Sequence, residues 1–146
     1  MVLARRLAMI IASAAAVACS TPEGAVAETG GTLTFYYLPF SIETFVPVTV
    51  DTIEENARCT FSIEPGAEQS AELRGWLGSV GRGGFDKKRV RLKLVGLGDA
   101  AHYVDAQGGV RRGRSNRGKL SGEAFASLES FVDAAALRAG CDPDAP

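Results

Sequence analysis

Apolar side chains fall at every second position in three stretches of this chain and at intervals of three and four in two others. "TLTFYYL", residues 32–38, alternates and stops at Pro39, as a strand with one buried face does. "RCTFSI" puts Cys59, Phe61 and Ile63 on one side and Arg58, Thr60 and Ser62 on the other. The clearest alternation is "KRVRLKLVGLG", which predicts a strand with Val90, Leu92 and Leu94 inward and Arg89, Arg91 and Lys93 on a wet face. "HYVDAQGGVRRG" reads as a hairpin, with Gly108 and Gly109 supplying the positive φ angles of a tight turn. Helical spacing places Leu73, Trp76 and Leu77 on one side of a helix over 67–77. A second helix starts at Ser121 as N-cap, carries Phe125, Leu128, Val132 and Ala135 on one face and ends at Gly140. Between the first two strands, Asp51 with Glu54 predicts a capped helical turn through Ala57. These elements make an α+β fold, a small antiparallel sheet packed by two helices in two layers.

The first residues do not belong to that fold. Arg5 and Arg6 precede twelve uncharged residues, Leu7 to Ala18. That run falls short of the roughly 20 residues a membrane-spanning helix needs, so residues 1–18 read as a cleaved signal peptide. Two cleavage sites compete. Ala16-Val17-Ala18-Cys19 resembles the bacterial lipobox, in which the Cys becomes lipid-modified and opens the mature chain. Ala25-Val26-Ala27 is an ordinary small-x-small site, with cleavage after 27. The position of Cys19 directly after the apolar run favours the lipid anchor, with 19–31 as a flexible tether and 32–146 as one domain. The expected location is therefore the periplasm, with the protein held to a membrane through Cys19.

Either cleavage leaves Cys59 and Cys141 as the cysteines of the fold. An even pair in an oxidising compartment predicts one disulfide, pinning the end of the last helix to a strand. A metal site is not expected, since there is no CxxC and the chain has a single His.

Charge changes the picture more than composition does. The net formal charge is -1, yet residues 82–119 carry eleven basic and three acidic side chains, a block of +8. Such a block could attract an acidic protein or envelope component, or could simply lie beside the acidic first half and neutralise it, or stay solvated. Arg89, Arg91 and Lys93 on the strand, with Arg111 and Arg112 on the hairpin, are the candidate binding residues. Reversing the three strand cations should then leave the fold intact. "RRGRSNRGK" has no aromatic residue to stack on bases, which argues against nucleic acid. "GRSNRGK", residues 113–119, matches the phosphate-binding GxxxxGK, but Leu120 stands where a Mg²⁺-binding hydroxyl is required. The segment reads as a glycine-rich loop, and no nucleotide or other cofactor is expected.

Catalytic chemistry has one candidate, His102, flanked by Asp99 and Asp105. A nucleophile elbow is missing, and Glu54 with Glu55 reads as the exposed side of a helical turn. Phe35, Tyr36, Tyr37 and Phe40 could line a ligand groove or share their rings between core and helix cover. The reading is an exported, non-catalytic binding module for a protein or acidic envelope partner, as an immunity, inhibitor or accessory protein would be. The alternative is a small periplasmic hydrolase using His102.

Overall fold

The computed structural model describes residues 31–146. The expected signal peptide, the expected lipidation of Cys19, the alternative cleavage after 27 and the expected tether fall outside these residues. In chain order the elements are β1 (Leu33–Tyr37), α1 (Ile53–Asn56), β2 (Cys59–Ile63), α2 (Ala67–Gly78), β3 (Val80–Gly81), β4 (Val90–Val95), β5 (His102–Asp105), β6 (Gly109–Arg112), β7 (Ser115–Leu120) and α3 (Gly122–Arg138). The seven strands form one antiparallel sheet in the order β2-β1-β4-β5-β6-β7-β3, so the α+β reading holds with a larger sheet than expected. The "glycine-rich loop" at 113–119 is in fact mostly strand β7, which pairs with β6 on one side and β3 on the other.

Cross-strand rows decide what each face can do. Phe61, Phe35, Leu94, His102 and Arg112 follow one another across five strands on the face covered by α2 and α3. The row beside it runs Cys59, Tyr37, Leu92, Val104 and Val110, all buried. Leu73 and Leu77 of α2 and Leu128, Val132 and Ala135 of α3 close this core, with Trp76 and Phe131 meeting edge to face at 5.7 Å. Ser121 caps α3 as its spacing predicts, accepting a bond from Ala124 N–H. Thr52, not Asp51, occupies the N-cap position of α1.

The opposite face carries a second, smaller core of Leu38, Val48, Ile53 and Val90. Val90 belongs to it because a bulge between Val90 and Leu92 turns β4 over, so Val90 faces away from Leu92 and Leu94. Cys59 and Cys141 form the disulfide, Cα atoms 5.8 Å apart, which ties the segment after α3 to β2. Closing a loop of 82 residues contributes up to about 4–5 kcal/mol through lost unfolded-state entropy. Among the described residues no helix is long and apolar enough to cross a membrane.

Candidate functional site

The three cations expected to stand side by side on β4 have three different environments. The bulge drives Arg91 inward until it is 2% exposed. Its guanidinium donates from Nε and Nη2 to the Ile42 carbonyl at 3.2 and 2.9 Å, and from Nη1 to the Val90 carbonyl at 3.1 Å. Burial, and then the charge of Arg89, lower its pKa from the ordinary arginine value, yet an arginine stays charged in proteins. Lys93 pairs with Glu54 and lies 5.7 Å from the ring centres of both Tyr36 and Tyr103. Burial alone would lower the Lys93 pKa, but the bond to Glu54 and the neighbouring Tyr103 and Tyr36 outweigh it and raise the value. Arg89 remains half-buried at the start of the strand. The expected open stripe is therefore corrected: period-two geometry does not survive a bulge, and two of the three cations hold loops and helices in place.

Asp105 is also not the partner of His102. It is 2% exposed, and its carboxylate accepts backbone N–H bonds from Asp86 (2.6 Å), Gln107 (2.8 Å) and Gly109 (2.9 Å). The β5–β6 turn is wrapped around it. Of the two glycines there only Gly108 has a positive φ, +85°. Gly109 is required for a different reason, since a Cβ would collide with the Asp105 carboxylate.

What the fold does bring together lies at the other end of the strands. Beyond the last turn of α2 the helix layer stops covering β5, β6 and β7, leaving a cleft of about 340 Å³. Leu77, Leu97 and Val110 form its apolar floor, and Arg74, Arg112, Arg117 and His102 complete the lining. Each arrives by a separate route: Arg74 from α2, His102 and Arg112 as neighbours in the row that begins with Phe61 and Phe35, and Arg117 from the bulged strand β7. Arg112 pairs at 2.8 Å with Asp99, whose own side chain is almost wholly exposed. Arg111 points to the other face and donates to the Gly113 carbonyl at 2.8 Å.

His102 sits among these cations with its pKa held below the ordinary histidine value. Burial lowers its pKa most, Arg112 and Arg117 lower it further, and Asp99 opposes them weakly. Its Nδ1 is buried without a hydrogen-bond partner, so neither Asp99 nor Asp105 orients the imidazole. Among the described residues no three His, Cys, Asp or Glu side chains gather as a metal site. A cleft with cationic walls, an imidazole ring and an apolar floor can hold an anionic group that carries a short apolar stem. Of the candidate residues read from sequence, Arg112 and His102 belong to it. Arg74 and Arg117 were missed, because a lone arginine on an exposed helix turn and one in a glycine-rich run look like ordinary solvated residues. Comparison with protein-family models, with curated proteins and with solved structures gives no match, so function is argued from the site itself.

Proposed function

We propose that this chain is an exported binding module that seats an anionic group of a protein or acidic envelope partner in the cleft of Arg74, Arg112 and Arg117. The observation that carries the reading is the convergence of three arginines from three elements on one apolar floor. Coulomb attraction in a partly desolvated cleft is stronger than at an open surface, and guanidinium forks match carboxylate and phosphate oxygens. Export is supported by the charged-then-apolar start of the chain and by the Cys59–Cys141 bridge, which suits an oxidising compartment. A lipid anchor at Cys19 would hold the module at a membrane.

The test follows the chemical shifts of the protein as an acidic peptide is added. Resonances of His102 and the cleft arginines should move, and the Arg112→Glu, Arg117→Glu double variant should lose about tenfold or more in affinity, as expected for removing charge-assisted bonds. Arg89→Glu should bind as wild type. Equal affinity in the double variant would overturn the reading.

The hydrolase reading retains one observation, the half-buried His102 lining the same cleft. His102→Gln at a pH above the histidine window separates the two: a binding module keeps its affinity there, whereas a histidine-dependent hydrolase loses turnover.

A further inference from the structure

Phe45 and Val46 stand at the tip of the segment between β1 and α1, fully exposed and 70% exposed respectively. Their exposure does not come from a slack segment, because the ends of the loop are fastened. Ile42 N–H donates to the Pro39 carbonyl, and the Ile42 carbonyl takes two bonds from the buried Arg91 guanidinium. On the far side Val48 donates to the Lys88 carbonyl and accepts from Val90 N–H, forming a parallel bridge with Arg89. Val48 itself is buried in the smaller core. A buried charge is costly to keep, and here it is used to hold a loop whose tip points an aromatic and a branched apolar side chain into solvent.

The same bridge fixes what lies beside the tip. Lys87, Lys88 and Arg89 are consecutive, and Lys88 and Arg89 share a shallow concavity with Phe45 and Pro47. Glu43 and Asp86 lie there too, so the surround is mixed but net basic. We infer that this loop docks the protein on an anionic lipid surface, Phe45 and Val46 entering the headgroup–acyl boundary while Lys87, Lys88 and Arg89 lie against the headgroups.

Size and charge favour a bilayer over a protein pocket. One phenyl ring offers on the order of 200 Å², well short of the ~800 Å² per partner that a stable protein interface buries. A bilayer needs no matching pocket, and an anionic one attracts each basic residue near its surface. The placement also suits the cleft. The loop leaves the sheet where β1 ends and β4 begins, while His102 and Arg112 pair at the opposite ends of their strands. Six residues of β4 separate the two ends by roughly 17 Å at ~3.3 Å per step, so a docked loop leaves the cleft at the far end of the sheet. Thirteen residues lie between Cys19 and Thr32, counting the latter, and ~3.3 Å each lets an anchored chain reach past the whole sheet.

The experiment uses the full chain carrying Cys19→Ser, so that no acyl chain contributes, and cosedimentation with vesicles of phosphatidylcholine alone or mixed with phosphatidylglycerol. Binding should appear on the mixed vesicles, fall about tenfold in the Phe45→Ser, Val46→Ser variant, and fall as strongly in Lys87→Glu, Lys88→Glu. The Phe45→Trp variant should show a blue-shifted emission when the mixed vesicles are added. The melting temperature of each variant should match the parent, since none of these side chains lies in either core. Equal sedimentation of parent and Phe45→Ser, Val46→Ser, or an emission of the Phe45→Trp variant that vesicles leave unshifted, would overturn the inference. So would a blue shift produced only by a protein partner.

Discussion

The two ends of the sheet use the same residue types for opposite purposes. At the end where β1 finishes and β4 begins, a buried arginine holds the Ile42 carbonyl, a buried aspartate holds three backbone N–H groups, and the disulfide starts from Cys59. At the other end Arg112 has an exposed ion pair with Asp99, Arg117 is exposed, and the His102 Nδ1 has no partner. Charge at the first end is spent on loops that could not otherwise satisfy their backbone. Charge at the second end is left largely at the surface, where the proposed anionic group would meet it. Residue type therefore says little about the role of a cation until the bonding of its neighbours is known.

The sharpest way to break that comparison is to reverse one arginine at each end. Arg91→Glu would bury a carboxylate against the Ile42 and Val90 carbonyls, and should cost about 4 kcal/mol or more, enough to prevent folding of a marginally stable domain. Arg112→Glu should cost no more than about 1 kcal/mol, the ceiling for most exposed ion pairs. Denaturant titrations of both would decide it. Similar losses at the two ends would erase the distinction. The expectation that Arg89, Arg91 and Lys93 can be reversed together without harm fails on the same ground.

The two aspartates sharpen the comparison at a smaller scale. Asp105→Ala leaves three backbone donors unsatisfied, and charged hydrogen bonds contribute ~1.5–3 kcal/mol each without adding fully, so a loss of about 3 kcal/mol is expected. Thermal melting should drop by about 10 °C or more. Asp99→Ala should melt within a few degrees of the parent, since its side chain is 89% exposed. A large drop for Asp99 would mean that the cleft end is also structurally committed.

Particular residues show which parts of this were legible in the sequence. Alternation in "TLTFYYL" and "RCTFSI", helical spacing around Leu73 and Leu128, the cap at Ser121 and the pairing of the two cysteines were readable, because each depends on neighbours in sequence or on simple parity. The bulge in β4 was not. "KRVRLKLV" alternates perfectly, and the register shift at Val90 accompanies long-range bonds of its pairing partner Asp105 to Asp86 and Gly109, which the local pattern does not carry. Strand β7 was hidden because Gly118 and the basic residues of "GRSNRGK" have low strand propensity, which the pairing with β6 and β3 overrides. The cleft was half legible. The +8 block marked the region, but Arg74 lies outside it and reaches the site only because α2 ends over β6 and β7.

The smallest expected effect tests the cleft end by itself, through pH. Burial, Arg112 and Arg117 depress the His102 pKa in the folded chain, so between that lowered value and the ordinary histidine value the unfolded chain binds more protons. Stability must then rise with pH across this window, and fall as the solution is acidified through it, levelling off below the folded value. One proton sets a ceiling of about 1.4 kcal/mol per pH unit on the slope. Glu129, raised by burial and by Asp133, contributes with the opposite sign at the tied end, because the folded state there takes up its proton first. Subtracting the pH profile of His102→Gln from that of the parent removes Glu129 and the other carboxylates, leaving the histidine contribution alone. Replacing Arg112 and Arg117 with Met should shrink the difference, since both arginines repel the imidazolium. An anion seated in the cleft should shrink it too, by favouring the protonated ring, and binding should accordingly strengthen as pH falls through the same window. If the difference profile is flat, or is unchanged by the two Met substitutions, His102 does not sense the cleft charges, and the cations there are solvated independently of one another.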